Sequence, residues 1–460
     1  LHLHGGPVLE AWAGDLNLVF AVVYHRHRQQ DRLAAFHPRK GLAYLLASEQ
    51  TAFNPDGKMF LGELGLDGAV KKVRGVLAAA ISARSLGFKT IYVPAGNGDE
   101  AALVDGIEVK EIRDVTELLD ELENKKAVAP HCRQKSEQKR SQARAGLSLV
   151  KGQEQAKRAL EIAAAGGHNL LMQGPPGTGK TILARALPEI LPALSKEEMI
   201  EVMKIYSAAG LLKDGGLIEE RPFRSPHHTA SPVAIAGGGN PIRPGEVTLA
   251  HRGVLFLDEL PEFQSGVLDS LREPLEERVI TISRSQGSVA FPADIMLIGA
   301  MNPCPCGNLN NPGKECICAP GQITKYQRKI SGPLLDRIDL FIEVPQVEIR
   351  KINEEGEDLS VTEAIRERVE QARMLQRKRF GDGTIFTNAG MGLREIKKFC
   401  PLDDPARSML NQAYERYAMS ARAYYRTVKV ARTIADLEGA SAIEPKHIAE
   451  ALQYRARVEV

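Results

Sequence analysis

Short apolar runs and helical periodicity alternate along most of the chain. The runs at residues 168–173, 253–257, 294–301 and 340–344 are mostly uninterrupted by charge, which predicts strands buried on both faces. Between and after them, apolar residues recur at helical spacing over Glu154–Ala165, Thr181–Leu187 and Leu268–Arg278. Residues 279–291 alternate apolar and polar around Gln286-Gly287, which predicts a hairpin. From Val361 the pattern is helical only: Val361–Arg379, Leu393–Phe399, Ala406–Met419, Ala421–Gly439 and Pro445–Leu452. The expected fold is α/β: a core with a parallel sheet over residues 148–345, then a C-terminal helical lid over 346–460.

The first part of the chain is different. Residues 1–40 show no sustained period, although Ala21–Tyr24 could be a strand. They hold His2, His4, His25, His27, His37 and Trp12. The histidine spacing fits no familiar metal site, and the segment reads as unassigned or aberrant. Residues 41–128 read as a small α/β unit. It has a helix at Leu42–Ala47, a strand at Met59–Leu64 leading into a Leu66-Asp67-Gly68 turn, helical spacing from Val73 to Leu86, a strand at Thr90–Pro94 and a helix at Val115–Leu122. Residues 129–147 are rich in Lys, Arg, Gln and Ser and read as a solvated linker; Glu354–Asp358 reads as an acidic turn.

Composition narrows the class little. The chain has 460 residues, 43% hydrophobic and 26% charged, with net charge +2. Any nucleic-acid surface must therefore be local. No apolar run approaches membrane-spanning length, six cysteines in this length suggest no disulfide scaffold, and no signal peptide is evident. The expected location is cytoplasmic, with no membrane partner. The first residue is Leu1, so the sequence is expected to be incomplete at its start.

Candidate chemistry centres on Gly174-Pro175-Pro176-Gly177-Thr178-Gly179-Lys180-Thr181, which matches G-x-x-x-x-G-K-[ST] between a predicted strand and a predicted helix. In that context backbone N–H groups and the helix N-terminus close on phosphate oxygens. Lys180 is expected on the β/γ-phosphates of ATP and Thr181 on Mg²⁺. The apolar run ending in Asp258-Glu259 supplies a second Mg²⁺ ligand in Asp258 and a general base for water in Glu259. Asn302 ends the next strand, where it would reach the γ-phosphate or the water; the alternative is a strand-end cap. Arg337 suits a finger that neutralises γ-phosphate charge in a neighbouring subunit, unless it pairs only with Asp336 or Asp339.

Three further features stand out. Cys304, Cys306, Cys316 and Cys318 form C-x-C, a nine-residue loop, then C-x-C. Four thiolates so placed suit tetrahedral Zn²⁺; reduced thiols or a redox disulfide are the alternatives. The adjacent His227 and His228 read as loop hydrogen-bonding residues more readily than as metal ligands. Arg284, Ser285, Gln286 and Ser288 at the hairpin tip could meet nucleic-acid phosphate or simply solvent.

VKGQEQAKRALEIAAAGGHNLLMQGPPGTGKT, PFRSPHHTAS, PGEVTLAHRGVLFLDELPEF, GAMNPCPCG, SGPLLDRIDLFIEV and VKVARTIADLEG resemble an AAA+ ATPase of the magnesium-chelatase-like branch, and within it the ComM/YifB family. The resemblance runs from about residue 41 to 458. GELGLDGAVKKVRGVLAAA and GFKTIYVPAGNGDEA resemble the Lon-protease-like domain preceding the ATPase in that family. Leu77 stands where Lon carries a lysine and no nucleophile turn is visible, so no peptidase activity is expected. The family's domain has a longer first half that residues 1–40 do not match; a truncated or frameshifted start would explain this. The resemblance implies a hexamer with ATP sites between subunits, an insertion facing the central pore within Ser207–Ala250, and DNA in the pore. It also implies branch migration or helicase activity in natural transformation. A chelatase-type motor that remodels a partner protein is the alternative. It further implies a lid arginine reaching the nucleotide of its own subunit, either Arg422 or Arg432.

Overall fold

A computed structural model describes residues 42, 45–46, 48–65, 67–132, 146–212, 218–240, 242–284, 287–311, 313–347, 359–381 and 385–455. The histidine-bearing segment 1–40, most of the linker, the acidic turn at Glu354–Asp358 and hairpin residues Ser285 and Gln286 lie outside them. The chain divides into two compact units, the first formed by Leu1–Lys139, Ser195–Glu219 and Asn240–Arg243, the second by the rest.

The first unit holds a three-stranded parallel sheet of β1 (Lys58–Phe60), β2 (Thr90–Pro94) and β3 (Glu108–Ile112), with β2 in the middle. Helix Val76–Ser85 starts at Gly75, whose φ of 78° suits glycine. The buried carboxylate of Glu100 accepts from the Leu77 N–H at 2.9 Å and so satisfies one of the free donors at that helix start. Leu77 itself is wholly buried among Val76, Ala80, Ile91 and Val93. Helix Lys196–Ala209 joins this unit through Met199 and Met203 in the same apolar cluster. A capping box of Ser195 and Glu198 starts it.

The second unit is a five-stranded parallel sheet with a helical lid. Its strands are β4 (Leu170–Gln173), β5 (Phe223–Arg224), β6 (Val254–Leu257), β9 (Met296–Met301) and β10 (Leu340–Glu343), ordered β10-β4-β9-β6-β5. All neighbours are parallel. β6 and β9 are buried at every position, as expected for inner strands covered by helices on both faces. β7 (Val279–Arg284) and β8 (Gly287–Pro292) form the expected hairpin, with Ser283 opposite Ser288. Helices Glu154–Gly166 and Lys180–Ile190 flank the start of the sheet.

The lid comprises helices Leu359–Phe380, Leu393–Phe399, Asp404–Arg416, Ala421–Leu437 and Pro445–Gln453. Side chains of Asp403 and Ser420 cap two of them by accepting from the N–H three residues on. Ile365, Val369, Val428, Ile434 and Ile448 continue the apolar core of the sheet into the lid. Buried Arg432 donates to Asp436 at 3.0 Å, to the Ser441 carbonyl at 2.8 Å and to the Ala440 carbonyl. Its hydrogen bonds tie helix Ala421–Leu437 to the loop that follows it. Among the described residues, no helix is long and apolar enough to cross a membrane.

Candidate active site

Parallel strands deliver their C-terminal ends to one edge of the sheet, and loops there form the crevice where α/β proteins bind ligands. β4 runs into the 174–181 loop at this edge, β6 into Asp258-Glu259, and β9 into Asn302.

The loop is shaped by its glycines. Gly177 and Gly179 have φ of 76° and 85°. A Cβ on Gly174 would lie 2.2 Å from the Val344 carbonyl, so only glycine lets the loop pass that close to the backbone after β10. The Thr178 hydroxyl donates to the Pro175 carbonyl at 3.0 Å, and the Gln153 amide donates to the Thr178 carbonyl at 2.7 Å. Gln153 sits at the start of helix Glu154–Gly166 with a left-handed backbone, φ 55°.

Lys180 is buried. Its ammonium donates to the Gly174 and Pro175 carbonyls at 2.7 and 2.8 Å and lies 3.4 Å from Asn302 Oδ1. Burial pushes its pKa down and the charge of Asp258 opposes that. The Thr181 hydroxyl donates to Asp258 Oδ2 at 2.7 Å, and Asp258 Oδ1 accepts from the Glu259 N–H at 2.9 Å. Glu259 itself sits at φ 51° and its Oε2 is 3.2 Å from His228 Nδ1. Lys180, Thr181, Asp258, Glu259 and Asn302 are thus brought together.

Arg337 is not among them. β10 and β4 are parallel with Leu340 opposite Leu170, so Arg337 precedes β10 at the N-terminal edge while Gly174 follows β4 at the C-terminal edge. At about 3.3 Å per residue, four strand residues separate the two edges by about 13 Å. Arg337 pairs with Glu276, not with Asp336 or Asp339, and donates to the Pro333 carbonyl at 2.6 Å. Arg422, half-exposed, donates to the other oxygen of Glu276 at 2.9 Å. These two arginines therefore share one carboxylate on the far edge, while Arg432 lies inside the lid.

The cysteines also converge. Cys304 Sγ lies 3.4 Å from Cys306 Sγ and 3.7 Å from Cys316 Sγ, and the four sulfurs lie within 4.8 Å of one another. A tetrahedron with Zn–S bonds of about 2.3 Å has edges of about 3.8 Å, so the donor set fits a structural metal. The Leu309 N–H points at Cys304 Sγ at 3.3 Å. Backbone donors at Asn308 and Ile317 pull the Cys306 thiol down to about 6. This cluster abuts the phosphate loop: a Cβ on Gly307 would lie 2.6 Å from Pro176. At the hairpin, Ser288 is exposed with its hydroxyl 3.2 Å from that of Ser283; the side chain of Arg284 and residues Ser285 and Gln286 lie outside the described set.

Known proteins resemble this chain over most of its length. Residues 146–352 match the family model described as magnesium chelatase, subunit ChlI, and residues 360–455 match that of the ChlI C-terminal region. Residues 40–97 match a further model described as subunit ChlI of Mg-chelatase. The chain is 40% identical over 404 residues to competence protein ComM of Haemophilus influenzae, covering 87% of this chain and 78% of that protein. It is 42% identical over 417 residues to YifB of Escherichia coli, covering 90% and 80%. A magnesium-chelatase 67 kDa subunit of Heliobacterium mobile is 25% identical over 340 residues, covering 67% of this chain and 46% of that protein. The sheet, the phosphate loop, the lid and these likenesses agree that the chain is an AAA+ ATPase of the magnesium-chelatase-like ComM/YifB family.

Proposed function

We propose that the chain is one subunit of a ring, a hexamer by family resemblance, that hydrolyses ATP between subunits and uses the energy to move or remodel DNA. The observation that supports it most is the separation of the two halves of the chemistry. Lys180, Thr181, Asp258, Glu259 and Asn302 line one edge of the sheet, and Arg337 lies at the opposite edge. A guanidinium there serves a nucleotide only if a second subunit presents its own phosphate loop to it. Arg422 shares Glu276 with Arg337, so we extend the same reading to it: it acts on the neighbour's nucleotide rather than its own.

In this reading residues 174–181 bind the phosphates, and Lys180 exchanges its two loop carbonyls for β/γ-phosphate oxygens. Thr181 Oγ1 and Asp258 Oδ2, 2.7 Å apart, supply the hard oxygen ligands that suit Mg²⁺. Bound there, Mg²⁺ neutralises phosphate charge. Glu259 accepts the proton of the attacking water, and Asn302 orients that water or the γ-phosphate. The partner's Arg337 stabilises the charge that develops on the transferred group. Cys304, Cys306, Cys316 and Cys318 would hold a structural Zn²⁺.

The DNA assignment rests on the likeness to a competence protein and on the exposed β7–β8 hairpin. Branch migration or helicase activity on incoming DNA in natural transformation or recombination is the activity we assign. The match to magnesium-chelatase models favours a second reading, a motor that remodels a partner protein. ATP hydrolysis measured with forked DNA, single strands and no DNA separates them. Stimulation by DNA supports the first reading; an identical rate with every DNA supports the second.

A further inference from the structure

We propose that Glu276 is a positioning residue that couples nucleotide to the β7–β8 hairpin. It holds Arg337 and Arg422 in the place of a neighbour's γ-phosphate, and the helix that bears it shifts the hairpin when they leave. This rests on the reading of Arg337 as serving a neighbour's nucleotide.

Glu276 lies in helix Arg272–Glu277. Arg272 and Glu276 are four residues apart, so they share one face of that helix, about 6 Å apart along its axis. That face meets the segment carrying Arg337 at both ends. Arg272 donates to the Ser331 hydroxyl at 3.0 Å, and Ser331 precedes the short helix Gly332–Leu335 that leads to Arg337. Glu276 takes Arg337 itself. Arg422 arrives from lid helix Ala421–Leu437 and donates to the second carboxylate oxygen at 2.9 Å.

This cluster suits exchange with a phosphate. Two guanidiniums on one carboxylate leave one positive charge in excess, and a planar guanidinium fork fits phosphate as well as carboxylate. The side chains of Glu276 and Arg422 are 42% and 47% exposed, so an incoming anion can reach them. Among the described residues, Arg337 Nε and Arg272 Nε are buried without an acceptor, which leaves donors to fill. A γ-phosphate offers more charge and more oxygens than Glu276, and so competes with it for both arginines.

The far end of the helix has no slack. Arg278 turns the chain with a left-handed backbone, φ 59°, and β7 begins at the next residue, Val279. The Arg278 carbonyl accepts from the Ala293 N–H at 2.8 Å, and Val279 lies opposite Pro292. Asp294 just beyond accepts from Arg252 at 2.7 Å and lies 3.6 Å from Arg278 Nε. The β8 arm is thus fixed to the core at Asp294, while the β7 arm continues the helix. A helix released by Arg337 and Arg422 tilts the hairpin about that point.

The test follows hydrogen exchange of the β7–β8 amides in the full chain, with Mg²⁺ alone and with Mg²⁺ and a non-hydrolysable ATP analogue, beside steady-state ATP hydrolysis. In the wild type the analogue is expected to change hairpin exchange by roughly threefold or more. In Glu276→Gln exchange is expected to be the same with and without analogue, and basal kcat to rise roughly two- to fivefold, the size of one exposed ion pair. Ser331→Ala cuts the other tie and leaves every charge in place. It is expected to shrink the exchange response, which decides the matter if Glu276→Gln folds poorly. A hairpin indifferent to the analogue in the wild type overturns the proposal, and so does a response of wild-type size in both variants. Arg337→Ala separates the two levels. If it still turns over normally, the reading of Arg337 itself is wrong. If it is inactive while Glu276→Gln and Ser331→Ala respond as the wild type does, only the coupling role of Glu276 is wrong.

Discussion

Asn169 holds Arg337 by its main chain: the side-chain amide donates to the Arg337 carbonyl at 2.9 Å, and the amide oxygen accepts from the Leu297 N–H at 2.8 Å. One residue at the foot of β4 thus ties the β9 strand to the loop bearing Arg337. Asn169→Ala is expected to loosen Arg337 and lower kcat on the order of tenfold while leaving ATP binding intact, because a small misplacement of a charge-stabilising group weakens it steeply. Steady-state hydrolysis beside nucleotide binding checks this; equal losses in both would point to a general defect.

The two lid arginines should separate cleanly. Arg432 is buried against Asp436 and two carbonyls, and Asp436 also pairs with Arg379, so Arg432→Ala leaves the carboxylate one cationic partner and the carbonyls none and is expected to cost about 1–3 kcal/mol of stability. Arg422 is half-exposed on Glu276, where an ion pair contributes only about 0–1 kcal/mol. Arg422→Ala is expected to leave the melting temperature nearly unchanged and to reduce ATP turnover. Thermal melts beside ATPase rates distinguish the pair.

These assignments show where local pattern suffices and where it fails. The runs ending at Gln173, Leu257 and Met301 marked three sheet strands because each buries three or more consecutive apolar residues well short of helix length. Strand Glu108–Ile112 was not legible, since Glu108, Lys110 and Glu111 interrupt it and only Val109 and Ile112 are buried. Helix Lys196–Ala209 carries a readable capping box at Ser195 and Glu198 that the periodicity argument passed over. The site shows the same division. The phosphate loop and Asp258-Glu259 are contiguous motifs. The pairing of Glu276 with Arg337 and Arg422 joins residues 61 and 146 positions apart, and no local spacing reports it.

The cysteine cluster predicts one tightly held metal per chain. Purified protein should carry close to one equivalent of zinc by elemental analysis, and Cys316→Ser should lose it. Because the Gly307 turn rests on Pro176, that loss should also weaken ATP binding. Protein free of metal, with full ATP affinity, would remove the cluster from the account.

Asp339 supplies a pH prediction. Burial alone would raise its pKa, but the hydrogen bond from His168 and the charges of His168, Lys429 and Arg426 outweigh that and hold it below the usual carboxylate range. A carboxyl lowered on folding contributes stability above its unfolded pKa of about 3.9, and that contribution is lost as pH falls through the lower folded value. Acid unfolding of the wild type should therefore steepen below about pH 4. Asp339→Asn should lack this component and be less stable at neutral pH by about 1–3 kcal/mol. Chemical denaturation across pH measures both.

The central claim is that each ATP is broken at a site built from two subunits. Mixing two inactive variants tests it directly: Lys180→Ala, which lacks a working phosphate loop but keeps Arg337, and Arg337→Ala, which has the reverse. If the arginine acts across the interface, mixed assemblies contain sites with both groups, and ATP hydrolysis should reappear on mixing at a rate that depends on the ratio. If mixtures remain as inactive as either variant alone, in assemblies shown to exchange subunits, Arg337 does not serve a neighbour and the account is wrong.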